Sequence, residues 1–235
     1  MIKLKPKKSL AVVQSNYIPW KGYFDLINSV DECVLLDDVQ YTRRDWRNRN
    51  RIKTRTGPAW LTIPVNAKGR YLAPINEVTI SDAAWGVKHW RTISANYARA
   101  PHFSDHRHAF ERLYLDSEHT HLSAINHTWI RAICAHLGIR TKLSWSMDYH
   151  LVEGRTERLV DICRQAGATE YLSGPAAKGY IDDRLFEQAG IKLTYFDYAG
   201  YPEYPQLFPP FDHHVTVLDL MFNTGPDATA YMLSF

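Results

Sequence analysis

The chain lacks the motifs that mark the common enzyme chemistries. It has no G-x-S-x-G nucleophile elbow, no P-loop, no G-x-G-x-x-G dinucleotide fingerprint and no H-E-x-x-H zinc helix. Cysteine is scarce: the three residues Cys33, Cys134 and Cys163 are odd in number and fit no zinc spacing. Each sits among apolar neighbours, which reads as a small buried hydrophobe in a reducing compartment. Long apolar runs are missing too. After the basic start MIKLKPKKS the run Leu10–Val13 is too short for a signal-peptide core or a membrane span, so the expectation is a cytoplasmic, soluble protein. The net charge is only +3, from 28 Lys and Arg against 25 Asp and Glu, too mild in itself to indicate a nucleic-acid partner. Repeats and low-complexity tracts are absent.

The composition is that of a folded domain. Of 235 residues, 45% are hydrophobic and 13% aromatic, enough to bury a core. Short apolar runs alternate with helical periodicity. Ser9–Gln14, Cys33–Leu36, Trp60–Val65, Ile75–Ile80, 143–147, 170–174 and 192–198 read as strands. Trp20–Ser29, 154–166, 181–189 and 215–222 read as helices, and 82–137 reads as three more, about 82–99, 104–116 and 120–137. A strand, a ten-residue helix and a second strand over residues 9–36 form a βαβ unit and imply a parallel sheet. The expected fold is a single α/β domain over 1–235: a Rossmann-like, mostly parallel sheet flanked by helices, with a helical insertion at about 82–137.

In such a sheet ligands lie beyond the carboxyl ends of the strands. Three polar segments follow strands here: Gln14-Ser15-Asn16-Tyr17, Asp37-Asp38-Val39-Gln40 and Ser173-Gly174. The first runs into Pro19, Trp20 and Gly22 at the start of a helix, whose free N–H groups suit an anion. Two accounts fit it: a binding site, or Tyr17 and Trp20 plugging the end of the sheet. The second runs into YTRRDWRNRNRIKTRTG (41–57), with seven cations against Asp45 alone. Three readings compete for it. Arg43, Arg44, Arg49 and Lys53, with Asn48 and Asn50, could clamp a small phosphate or carboxylate. With Trp46 they could bind nucleic acid, which the lack of a matching basic face elsewhere disfavours. They could also be a solvated loop.

Eleven histidines add little metal-ligand signal. His102, His106 and His108 lack cysteine and a supporting acid at helical spacing, so no metal site is assigned. His213, next to Asp212 in FPPFDHH, is a candidate general base, and a capping or surface role fits it equally. YLSGPAAKGY (171–180) offers Ser173 and Lys178 as a weak anion-holding loop.

QSNYIPWKGYFDLI, DECVLLDDVQYTRRDWRNRNRIK, WLTIPV, YLSGPAAKGY and FDHHVTVLDLMFNTG together resemble the WbqC-like family, in order, from about residue 10 to 225. That family often has Pro at the position of Ser15 and an aromatic at that of Cys33, which weakens any case for Cys33 as a nucleophile. The resemblance implies work on surface polysaccharides or in secondary, small-molecule metabolism, and suggests amide- or ester-forming group transfer. The resulting expectation is an enzyme, a transferase of undefined donor. It would move an acyl, aminoacyl or related group using a small anionic activated substrate, such as a nucleotide sugar or a thioester, on a nucleotide-linked or carrier-protein-bound donor. Arg43, Arg44, Arg49 and Lys53 would hold charge; Asp37, Asp38 and Gln40 would orient a hydroxyl or amine; Gln14, Tyr17 and Trp20 would wall the pocket, with Tyr17 at a developing oxyanion and His213 as base. No cofactor is identified. The alternative is a non-catalytic polyanion or nucleic-acid binding module using residues 41–57.

Overall fold

The computed structural model describes residues 7–235; the start of the basic N-terminal stretch lies outside the described residues. The chain runs β1 (Ser9–Val13), α1 (Lys21–Asn28), β2 (Glu32–Leu35), β3 (Arg49–Thr54), β4 (Gly57–Thr62), α2 (Trp85–Tyr97), α3 (Phe103–Leu115), α4 (Leu122–Leu137), β5 (Lys142–Trp145), α5 (Arg155–Ala166), β6 (Glu170–Ser173), α6 (Asp183–Gln188), β7 (Lys192–Tyr195) and α7 (Val217–Thr224). Five strands form one sheet in the order β5-β2-β1-β6-β7, and every pairing in it is parallel. This is an α/β, Rossmann-like arrangement: the chain builds outward from β1 to β2 and β5, then returns to the other side of β1 for β6 and β7. None of the helices among the described residues is long and apolar enough to cross a membrane.

The strands are short because their apolar runs are short, and the inner ones carry buried or half-buried residues on both faces, as a parallel sheet between helices requires. Leu10, Val34 and Tyr171 point to one side, where they pack with Leu159 and Ile162 of α5 and Phe186 of α6. Ala11, Cys33 and Leu35 point to the other, where they join Phe24 and Ile27 of α1, Ile130 and Ile133 of α4 and Phe222 of α7. The period of two along each strand places successive residues in these two cores. All three cysteines are free and buried. Burial raises the Cys134 and Cys163 thiols to about 12, which removes thiolate chemistry near neutral pH.

Two expectations need correction. Ile75–Ile80 is not a strand: it holds a single 3₁₀ turn, Ile75–Glu77, and two isolated bridges, Val65 to Ile80 and Thr79 to His121. Its Asn76 N–H is spent on the Asp37 carbonyl (2.9 Å) instead of a ladder. The Arg-rich segment is not all loop, because β3 pairs antiparallel with β4, opposing Arg51 to Trp60 and Asn50 to Leu61. The strand there begins at Gly57 and stops at Thr62, before Pro64 could interrupt the ladder.

The helical layer packs on the hairpin and on β1 through a buried polar contact. The Tyr17 hydroxyl meets His89 Nδ1 at 2.8 Å and the Tyr114 hydroxyl at 2.7 Å, while His89 Nε2 faces the Thr62 carbonyl at 3.2 Å. A neutral imidazole satisfies this set: Nε2–H donates to the carbonyl and Nδ1 accepts from Tyr17. Burial accordingly lowers the His89 pKa to about 4. Between pH 6.5 and 4 the unfolded chain takes up a proton here that the folded chain refuses, so stability falls as pH falls through that window. The expected loss is on the order of 1 kcal/mol per pH unit. His89→Gln should flatten the slope of urea-denaturation stability against pH by about that amount; an unchanged slope would show that His89 titrates freely.

Candidate active site at the sheet switch point

The carboxyl ends of β1 and β6, where the order of the sheet reverses, border a cavity of about 700 Å³. Open α/β sheets take their ligands at this position. Gln14 and Asn16 line it from the end of β1, and Leu36, Val39 and Gln40 from the end of β2. Gly174, Ala176, Ala177 and Tyr180 close the β6 side. Gly154, Arg155 and Arg158 bring in the N-terminus of α5, and Arg47 enters from the segment before β3. A second depression of about 600 Å³ lies between α3 and α4, lined by helix sides such as His108, Arg112 and Trp129. Its lining residues, 108–129, include no residue that follows a strand.

Arg47 is the most constrained cation of the cavity. Its side chain is only 14% exposed. It donates through Nη1 to Asn16 Oδ1 and stands 3.6 Å from Asp45 Oδ2, while its buried Nε has no partner. Desolvation pulls its pKa below the usual guanidinium value, with the Asp45 charge opposing. A buried N–H without an acceptor costs roughly 1–3 kcal/mol. Arg158 is held differently: Nη1 donates to Asp38 Oδ2 at 2.5 Å and Nε to the Val152 carbonyl at 3.1 Å. Arg155 opens α5 and is exposed. Gly154 precedes it at φ +91°, where a Cβ would also run into the Glu157 carboxylate, so glycine is required at this entrance.

The turn after β1 owes its shape to distant partners. Asn50 Nδ2 donates to the carbonyls of Tyr17 (3.1 Å) and Ile18 (2.8 Å), Tyr17 N–H to Trp46 O (3.0 Å), and Val217 N–H to Pro19 O (2.9 Å). Trp20 then lies across the start of α1, over Gly22, where any Cβ would strike the indole. Its ring meets Tyr198 and Tyr201, each with centroids 5.4 Å away.

The expected site residues separate into two groups. Gln14 and Gln40 line the cavity, and Trp20 lines a neighbouring pocket. Asp38 stands beside the cavity and is not among its lining residues; Arg158 and Ser146 each donate to one of its carboxylate oxygens, so it positions Arg158. Tyr17 is fully buried and bound to His89 and Tyr114, with no route to an oxyanion. Asp37 is fully buried, accepting from Ser15 N–H (2.9 Å) and from the Ser123 hydroxyl. Asn50 is consumed by the turn, and Asn48 is buried with its amide on the Ile63 carbonyl. Lys53 is buried against the Pro210 carbonyl.

Two of the remaining arginines turn to aromatic faces: half-buried Arg49 lies 4.1 Å from the Trp60 ring centroid and exposed Arg43 lies 4.7 Å from that of Tyr71, while Arg44 is exposed at φ +56°. Ser173 is buried at the end of β6, leaving the rim to Gly174, and exposed Lys178 lies 5.1 Å from the Tyr195 ring centroid. His213 lies against Phe211 (4.5 Å, edge-on) and lines neither pocket; it is His214 that approaches Asp212, at 3.3 Å. None of Arg43, Arg44, Arg49 and Lys53, the cations expected to hold charge, lines the cavity; the cations that do are Arg47, Arg155 and Arg158.

A profile of the WbqC-like protein family matches residues 14–231. The chain belongs to the WbqC-like family. Its similarity to another protein extends end to end: it is 51% identical over 225 residues to "Uncharacterized protein Rv1507c" of Mycobacterium tuberculosis, covering 96% of this chain and 97% of that one. No solved structure matches the chain. In this WbqC-like protein the family match spans both the amide turn after β1 and the rim after β6.

Because Tyr17 serves the core, Tyr17→Phe should lower stability by roughly 1–2 kcal/mol, the value of the hydrogen bonds it breaks. Ligand affinity of the folded variant should not change. Titration of any cavity ligand alongside urea denaturation checks this; lost affinity at full stability would return Tyr17 to the site.

Proposed function

We propose that this WbqC-like protein is a group transferase whose small, anionic, activated substrate occupies the switch-point cavity. The observation that carries this reading is the meeting of Arg47, Arg158, Arg155 and the N-terminus of α5 around one space of about 700 Å³. Phosphate or thioester donors share the need this arrangement meets: a leaving group whose negative charge grows as the bond breaks. Fixed cationic and N–H donors stabilise such charge without reorganising. The amides of Gln14, Asn16 and Gln40 are suited to orienting an acceptor hydroxyl or amine beside the donor. Among the described residues that line the cavity there is no histidine or carboxylate, so in this reading the rate comes from positioning and charge stabilisation rather than from a strong base. A place in surface-polysaccharide or secondary metabolism belongs to the same proposal and rests on the family alone.

A nucleic-acid surface over residues 41–57 finds less support. Of its cations, Arg47 and Lys53 turn inward, Arg49 stacks on Trp60, and Arg51 donates to the His214 carbonyl at 3.0 Å. Few remain to meet a phosphate backbone.

Thermal-shift screening of nucleotide sugars and acyl thioesters tests the proposal. A true substrate should stabilise the protein by about 2.7 kcal/mol at a hundredfold excess over Kd. Arg47→Ala should abolish that stabilisation, and Arg43→Ala should leave it intact. The reverse pattern, or stabilisation indifferent to both, would put the substrate elsewhere.

A further inference from the structure

A smaller pocket of about 270 Å³ adjoins the large cavity. Pro19, Trp20 and Trp46 form its walls, with Asn16, Asn50 and His214 at its edges. Asn16 lines both spaces. Its Oδ1 accepts from Arg47 Nη1, so a single side chain separates the aromatic pocket from the buried cation. We infer that this pocket is a ring subsite that takes the heterocycle of a nucleotide whose phosphates lie against Arg47 in the large cavity. The inference rests on the anionic reading of that cavity and names the class of molecule that fills both.

The chemistry of the walls selects the occupant. Two indoles and a proline present flat apolar surface, on which any nucleobase can stack for roughly 1–3 kcal/mol. A sugar ring would bring several hydroxyls needing partners, and the pocket has few to give. Asn50 is already spent, its Nδ2 on the Tyr17 and Ile18 carbonyls and its Oδ1 accepting from Arg51 N–H at 2.7 Å. Asn16 and His214 remain, enough for the edge of one base.

The pocket is also built in advance. Ile18 sits at φ +36°, a conformation that costs a β-branched residue on the order of 1–3 kcal/mol. Bonds from β3, from the Trp46 carbonyl and from α7 hold the turn there. Trp46 itself stays 41% exposed although it is fixed against Trp60, with ring centroids 5.4 Å apart. An indole anchored on one face and open on the other is a stacking platform.

Calorimetric titration of UDP, CDP, ADP, GDP and inorganic pyrophosphate into the full chain tests the assignment. At least one nucleoside diphosphate should bind about tenfold or more tighter than pyrophosphate, the factor that roughly 1.4 kcal/mol of stacking gives. Trp46→Ala should erase that preference and leave pyrophosphate affinity unchanged; Trp46→Phe, which keeps a ring, should restore most of it and shows that the site still folds. Four nucleotides binding no better than pyrophosphate, or a preference that survives Trp46→Ala, overturns the ring subsite while leaving the anion cavity standing. The cavity is read separately through Arg47→Ala, which should weaken pyrophosphate and nucleotide alike. If the wild-type protein binds none of the five, both assignments fall.

Discussion

The carboxylate of Asp37 holds the site together. It is fully buried at the end of β2, accepts the Ser15 N–H from the end of β1 at 2.9 Å, and takes the Ser123 hydroxyl from α4. Asn126, one turn along α4, donates to Ser15 Oγ at 3.1 Å and to the Arg47 carbonyl at 2.9 Å. Two adjacent strand ends, a helix and the Arg-rich segment are thus tied at one point. Burial raises the Asp37 pKa, against the pull of these hydrogen bonds. A buried carboxylate is tolerable only where donors surround it, and the donors here come from the end of β1 and from α4, which Asn126 in turn ties to the Arg47 backbone.

The helical layer therefore does more than cover the sheet. α4 supplies Ser123 and Asn126, and α2 and α3 supply His89 and Tyr114 to the Tyr17 hydroxyl. On the far side of the hairpin a second buried carboxylate works in the same way: Asp219 of α7 accepts from Tyr97 and Tyr204 at 2.8 and 2.7 Å and from Gln206 at 2.8 Å. Tyr97 also accepts the Lys53 N–H of β3 at 2.8 Å. The hairpin carrying Trp60, together with the preceding segment that carries Arg47 and Trp46, is gripped between these two networks. That grip is what allows a cationic side chain to be buried with an unsatisfied donor and an indole to be fixed while half exposed.

Much of this was legible in the chain. The alternation of short apolar runs with helical periodicity located every strand of the parallel sheet, and the polar groups after β1 and β2 marked the rim where the cavity opens. Which cations face it was not legible. RNRIKT has one apolar residue and hid a strand, because Asn50 and Ile52 fill its inward face while the other face carries Arg49 and Arg51 on Trp60 and the buried Lys53. Seven cations in a row look alike in sequence; only the fold buries Arg47 and leaves Arg43 outside. Arg155 and Arg158 pass for ordinary helix-surface charges until α5 is seen to point at the switch point. Tyr17 and Asp37 look like site chemistry because their partners, Tyr114 and Ser123, lie 97 and 86 residues away.

A crystal structure of the protein soaked with a nucleoside diphosphate tests the central claim most directly. Phosphate oxygens within hydrogen-bonding distance of the Arg47 guanidinium, between the ends of β1 and β6, are the expected result. Phosphates bound instead to the outer arginines Arg43, Arg44 or Arg49, with the switch-point cavity filled only by solvent, would contradict it.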